Sequence, residues 1–183
     1  MKTLIFNGSP RKNGDTVSLI NEVLKDLKGE YKIVNAYFDN ISPCIDCRRC
    51  WKESGCSIQD EMQSIYDYIE ECDNIIVASP IYFVELTGKL LGVVSRFQTY
   101  FCAGRFRNEK AVEKPKKGAV ILVGGGHGNV DIPYGTAKTL LHHINTYDIH
   151  PLVLSHDTNN VHAVDDPKCM EGVRSIVEFL NNK

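Results

Sequence analysis

Two short stretches carry residue types at spacings that do chemistry. The first, Asn7-Gly-Ser-Pro-Arg-Lys-Asn-Gly-Asp-Thr16, follows an apolar run and precedes an amphipathic one. It places small residues, hydroxyls and a cation where a helix begins, so unpaired backbone N–H groups and about half a positive charge face outward. Phosphate is the natural guest of such a site. Ser9 and Thr16 offer hydroxyls, Asn13 an amide and Arg11 a fork of charged donors. The run is neither a Walker loop nor G-x-G-x-x-G, and a polar turn capped by Asp15 or Thr16 is the plain alternative. The second stretch is Cys44-x2-Cys47-x2-Cys50-x5-Cys56, four thiols within 13 residues. A compact C-x2-C-x2-C run is the spacing that wraps a chain around a [4Fe-4S] cluster, whereas structural zinc draws its ligands as two pairs from separate knuckles. Free thiols shielded by Trp51, or a redox-active disulfide, remain open to the same residues. Of the seven cysteines, Cys72 continues an apolar helix face, and Cys102 and Cys169 have no partner spacing.

Two further segments are candidates for a ligand's flat part. In Ser79-Pro-Ile-Tyr-Phe83, Pro80 holds Ser79 extended, and two aromatic residues follow at the end of an apolar run. Rings and backbone amides there suit a heteroaromatic guest, or else simply cover the sheet end. Gly124-Gly-Gly-His-Gly128 lets a backbone approach a ligand closely, with His127 read as a loop residue or contact.

The elements that must position these residues alternate. Apolar runs at Thr3–Phe6, Lys32–Tyr37, Asn74–Ala78, Ala119–Val123 and Pro151–Leu154 read as strands buried on both faces. Ile20, Val23, Leu24 and Leu27 share one helix face, as do Met62, Ile65, Tyr66 and Ile69. Ala137, Leu140, Leu141 and Ile144, and then Val173, Ile176, Val177 and Leu180, repeat that spacing. Five β-then-α units predict an α/β fold with a parallel sheet and helices on both faces. In such sheets ligands bind beyond the carboxyl ends of the strands, where the long connections Asp39–Ser57 and Gly124–Pro133 emerge. The Leu90–Phe101 helix is apolar nearly all round and is expected to meet another subunit, while Arg105–Lys117 reads as a solvated connector.

Composition narrows the classes. The chain has 183 residues, 43% of them hydrophobic and 24% charged, which fits one globular domain over 1–183. A formal charge of −2 disfavours nucleic acid as the partner. The sequence holds no apolar run near the roughly 20 residues a bilayer span requires. The N-terminus is too short in apolar residues for a signal peptide, so the expected location is cytoplasmic.

The first loop and the SPIYF turn together resemble the flavodoxin-like NAD(P)H-dependent FMN reductase family, from Met1 to about Leu154. The resemblance implies a five-stranded parallel sheet of order 2-1-3-4-5. It also implies an FMN phosphate at Ser9, Arg11, Asn13 and Thr16, and a flavin along Ser79, Pro80, Ile81, Tyr82 and Phe83, bordered by Gly124 and Gly125. Two departures stand out: Asp15 where the family has Asn, expected to point away from a phosphate, and Ser95 before Arg96 where relatives read Asp. The cysteine spacing is similar to that of the iron–sulfur flavoproteins, with Cys44, Cys47, Cys50 and Cys56 as cluster ligands, and the loop is expected to overhang a flavin. The implied activity is hydride transfer from NAD(P)H through FMN to a quinone, flavin, nitro compound or redox protein, with no catalytic side chain required. The alternatives are an iron–sulfur electron carrier partnered by a protein such as ferredoxin, and a flavin-free binding module. A homodimer or homotetramer is expected.

Overall fold

The computed structural model describes residues 1–182. Strands β1 (Lys2–Asn7), β2 (Glu30–Asn35), β3 (Asn74–Tyr82) and β5 (Lys116–Val123) lie parallel in the order β2-β1-β3-β5. The fifth position is shared by β6 (Thr146–Ile149) and β7 (Val153–Ser155), both parallel to β5. A two-residue strand, β4 (Glu85–Leu86), folds back antiparallel on the end of β3. The expected 2-1-3-4-5 order is therefore present, with a small hairpin added and the last strand broken. The break falls at Pro151, which has no N–H to donate, just after His150 donates to the Gly118 carbonyl at 2.9 Å.

Alternation along the strands assigns the two helix layers. Leu4, Phe6, Val77, Val120 and Leu122 face α2 (Met62–Glu71), α3 (Gly88–Val94), α4 (Gln98–Cys102) and α5 (Asp131–His143). Ile5, Ile76, Ala78, Ala119 and Ile121 face α1 (Asp15–Asp26) and α6 (Pro167–Asn181). Each fully buried aliphatic side chain contributes about 1.5–3 kcal/mol, so strands apolar on both faces fix the sandwich. Gly29 makes the turn into β2 at φ +92°, where an added Cβ would run into the Met1 carbonyl.

Strand β2 stops at Asn35, two residues short of the Tyr37 expected, because the Asp39 carboxylate accepts the Asn35 N–H at 2.8 Å and the chain turns away. The expected Leu90–Phe101 helix is α3 and α4 joined by a 3₁₀ turn at Ser95–Phe97, continued by a π turn at Ala103–Arg107. The supposed connector after it is only partly solvated: Val112 and Lys116 are buried, and the Arg107 side chain is 7% exposed. Among the described residues, no helix is long and apolar enough to cross a membrane.

Candidate functional site

The loop after β1 is stapled to its neighbours by short bonds. Gly8 donates its N–H to the Ala78 carbonyl at 2.8 Å, and its own carbonyl accepts the Thr87 hydroxyl at 2.8 Å. Ser9 closes a turn: its hydroxyl accepts the Arg11 N–H and donates to the Arg11 carbonyl, while its N–H goes to Asn7 Oδ1. Gly8 is required by close approach, since a Cβ there would lie 2.8 Å from Ser79 Oγ and 2.9 Å from Leu90 Cδ2. Helix α1 then starts at Gly14, with no side chain capping it. Its first amides therefore face a pocket bordered by Ser9, Arg11, Gly14, Thr16 and, across the sheet ends, Pro80, Ile81 and Tyr82. Arg11 has no ion-pair partner among the described residues.

Asp15 also borders this pocket, but its carboxylate is committed elsewhere. Oδ1 accepts the Ala163 N–H at 2.9 Å and lies 3.3 Å from His162 Nδ1. It ties down a distant loop, whereas the sequence leads to the expectation of a helix cap pointing away from a phosphate.

The structure separates the expected site residues into two groups. Ser9, Arg11, Thr16, Pro80, Ile81, Tyr82 and Gly125 border one pocket. Asn13 is exposed outside its lining, Gly124 is buried behind Gly125, and Ser79 is fully buried, its hydroxyl donating to the Pro80 carbonyl and accepting the Thr87 N–H. Phe83 is 100% exposed at the tip of the β3–β4 hairpin. Phe83 and Val84 occupy φ of +51° and +57°, the left-handed pair that a two-residue hairpin turn demands and that Asn-Gly normally supplies. Strain of this kind costs about 1–3 kcal/mol per residue and gathers at functional sites. Thr158 and Asn159, which follow β7, also line the pocket and bind the glycine loop through the Gly124 and Gly125 carbonyls. Sequence reasoning passed over them by searching after strands one to four; the strand-end rule applied to the fifth would have found them. His127 stands at the outer edge, its ring 5.2 Å from that of His156.

The cysteine loop builds a different pocket that shares no lining residue with the first. Cys44, Cys47, Cys50 and Cys56 all border it, together with Cys102 from α4, a fifth thiol that sequence spacing did not reveal. Among the described residues, no three His, Cys, Asp or Glu side chains are drawn close enough to hold a metal ion. Cys47 is exposed and its thiol pKa is lowered, first by the Ser57 hydroxyl and then by the Arg49 N–H. Cys50 is pushed up to about 12, chiefly by burial, then by the neighbouring Cys102 and Cys44 thiols. Trp51 borders the pocket and stacks on Phe106 with centroids 4.3 Å apart, flanked by Arg48 over Trp51 and Arg105 over Phe106.

Side chains from the helical segment hold this loop down. The Arg96 side chain is fully buried, and its Nη1 donates to Asp60 Oδ2 at 2.7 Å and to the Ser42 carbonyl at 2.9 Å. Nη2 reaches the Ile58 carbonyl at 3.2 Å. Burial alone would raise the Asp60 carboxyl, but Arg96 and the Ser42 and Met62 N–H groups outweigh it and hold the pKa below its ordinary value. Ser95 Oγ accepts the Cys44 N–H at 2.9 Å, so the Ser-Arg departure noted above is what anchors the cysteine loop. Gly92 sits against Pro43. The outer side of this helical segment, expected to meet another subunit, is in part covered by the chain's own cysteine loop. Within the chain the loop packs there rather than against the first pocket, so of the two expected overhangs, over its own flavin or over a neighbouring subunit's, the first is not what this arrangement favours.

The sequence profile of the family described as NADPH-dependent FMN reductase matches residues 1–160. An iron–sulfur flavoprotein of Methanocaldococcus jannaschii is 27% identical over 87% of this chain and 78% of its own length. A provisionally named NAD(P)H-dependent FMN-containing oxidoreductase of Bacillus subtilis is 29% identical over 71% of this chain and 70% of its own. The fold is shared with an NAD(P)H:quinone oxidoreductase from Methanothermobacter marburgensis, at TM-score 0.74 and 14% identity, covering 100% of this chain and 98% of that one.

Proposed function

The chain belongs to the NADPH-dependent FMN reductase family, and from that premise we propose that FMN sits in the pocket after β1, β3 and β5 and passes electrons from NAD(P)H to a small acceptor. The observation that carries this reading is the uncapped start of α1 facing the same pocket as Arg11. Free amides and a guanidinium suit a phosphate dianion. Thr16 adds a hydroxyl, Ser9 shapes the turn through its bonds to Arg11 and would turn its hydroxyl to the phosphate only by giving up the Arg11 carbonyl, and Asn13 stands at the exposed loop edge as a further amide donor. Pro80, Ile81 and Tyr82 form the wall for the flat ring system, with Gly124 and Gly125 along its edge and Phe83 at the mouth. Ser79 works from behind, holding Thr87 and thereby Gly8 in place.

Bound FMN supplies hydride acceptance and donation. The chain's part is to orient the ring, exclude water from one face and leave the other open. Backbone amides of the glycine loop favour negative charge at the ring edge. No side-chain acid or base is needed. The acceptor is a quinone, flavin or nitro compound, or a redox protein such as ferredoxin. The chain is read as a single cytoplasmic domain forming a homodimer or homotetramer.

The test is anaerobic addition of NADPH to protein reconstituted with FMN. Loss of flavin colour, restored by a quinone with continued NADPH oxidation, is the expected result. Flavin that binds but stays oxidised would remove the reductase reading and leave a carrier. Absence of flavin binding would leave a binding module for another anion.

A second reading is favoured by the convergence of the loop's thiols on one pocket. In it, Cys44, Cys47, Cys50 and Cys56 hold a [4Fe-4S] cluster, whose soft thiolate donors they match in type and spacing. The cluster would add one-electron exchange to the flavin's two-electron chemistry. Its test is about four iron and four labile sulfide per chain in anaerobic protein, lost in Cys47→Ser.

A further inference from the structure

Between β7 and α6 the chain runs from His156 to Ala163 as a strap that is tied to both ends of the first pocket. At one end it takes the carbonyls of three successive residues of the glycine loop. The Gly124 carbonyl accepts the Thr158 N–H at 3.0 Å and the Thr158 hydroxyl at 3.2 Å, and the Gly125 carbonyl accepts the Asn159 amide at 2.7 Å. The Gly126 carbonyl lies 3.3 Å from His156 Nδ1. At the other end the Ala163 N–H donates to the Asp15 carboxylate at the start of α1. The strap lies directly on the loop: a Cβ at Gly125 would sit 2.8 Å from both polar atoms of the Asn159 amide.

A trans peptide holds each carbonyl opposite the N–H that follows it, and the peptides of this loop are trans. With the carbonyls of Gly124, Gly125 and Gly126 drawn to the strap, the N–H groups of Gly125, Gly126 and His127 point away from it. None of the three donates to a partner among the described residues. Successive free N–H groups form a concavity that favours negative charge. We propose that Asn159 and Thr158 are positioning residues for the flavin: by holding these carbonyls they aim the glycine-loop amides at the ring edge, and so favour the negative charge the ring gains on reduction. This inference rests on the reading that FMN occupies the pocket. Neither side chain needs to touch the reacting atoms, because both act through the backbone of Gly124 and Gly125. Any chain has such amides; the strap adds their fixed direction, so no reorganisation is needed when the charge appears. Turning a carbonyl toward the ring would cost the loop its bonds to the strap.

Wild type and Asn159→Ala are reconstituted with FMN. Fluorescence titration gives the dissociation constant of oxidised FMN, and anaerobic equilibration with a dye of known potential gives the two-electron midpoint. Compared with the wild type, the variant should bind reduced FMN about tenfold more weakly relative to oxidised FMN, which lowers the midpoint by about 30 mV. Gly125→Ala, whose methyl displaces the Asn159 amide, should shift the midpoint the same way, and the double variant should move little further than either alone. Thr158→Val keeps the shape and the backbone bond but loses the hydroxyl, so it should give a smaller shift of the same sign. It decides the matter should Asn159→Ala fail to fold or to hold flavin. A midpoint equal to the wild type's or higher, whatever happens to the binding of oxidised FMN, would make the strap a wall of the pocket only and overturn the proposal. A wild type that binds no FMN removes the underlying reading as well, whereas bound FMN with an unmoved midpoint removes this inference alone.

Discussion

The two pockets are built by opposite means. The cradle proposed for phosphate is made mostly of backbone: Gly8, Ser9 and the bare start of α1, fixed by bonds to neighbouring segments. The thiol pocket is made of side chains, and its loop is held by Arg96, Ser95 and the Trp51–Phe106 stack. Yet one segment serves both. Thr87 and Leu90 touch the cradle at Gly8, while Gly92 and Ser95 touch the cysteine loop at Pro43 and Cys44. From Thr87 to Ser95 the rise is about 12 Å. The cradle is fixed at many points along its backbone, with Thr87 and Asn7 as side-chain partners, whereas the cysteine loop rests most heavily on one buried guanidinium, which makes three of its holds.

The strongest way to break that contrast is Arg96→Ala. Removing one partner of a buried ion pair costs about 3–5 kcal/mol, because the other charge is left unpaired. Denaturant unfolding should show a loss of that size, and maleimide should label Cys44 and Cys56 faster, while folded protein still binds FMN. Unchanged labelling would mean the loop is held by something else.

On the cradle side, Arg11→Ala removes charge-assisted hydrogen bonds worth about 1.5–3 kcal/mol, so FMN should bind roughly 10- to 100-fold more weakly. Thiol labelling should not change. Fluorescence titration of FMN checks the first point, and a parallel maleimide time course the second.

A smaller effect is expected at the hairpin tip. Replacing Phe83 and Val84 together by Asn and Gly relieves two left-handed residues and should raise stability by about 1–2 kcal/mol. If the exposed ring guards the mouth of the pocket, KM for the acceptor should rise in the same variant. A stability loss would contradict the strain argument.

The smallest effect is one of pH. The folded Asp60 carboxyl lies below its ordinary value, so its contribution to stability is full above the unfolded pKa of about 4 and is lost as pH falls through the folded value. Asp60→Asn should flatten that acid limb. Maleimide labelling of Cys56 against pH reports whether the cysteine loop loosens first.

How much of this was legible in the sequence follows the same division. The sheet order, both helix layers and the polar loop that opens α1 rest on local periodicity or on contiguous residues, and they could be read directly. The β4 hairpin could not be read, because Phe83 and Val84 are the wrong residues for the turn they make. The anchoring role of Arg96 and the fifth thiol at Cys102 were invisible for another reason. Both act on partners 36 or more residues away, and an arginine or cysteine inside an apolar helix gives no sign of what it faces. Thr158 and Asn159 were legible by the strand-end rule, since they follow the fifth apolar run.

The two pockets share no lining residue, and on the proposed function they are separate sites on one chain, one for flavin and one for thiol or cluster chemistry. The most direct measurement counts FMN and iron per chain on the same anaerobic preparations of the wild type, Arg11→Ala and Cys47→Ser. Arg11→Ala should lose FMN and leave the iron content as in the wild type, while Cys47→Ser should keep FMN and lose whatever iron the wild type holds. A variant in which both fall together, or a wild type that binds no FMN, would contradict this account.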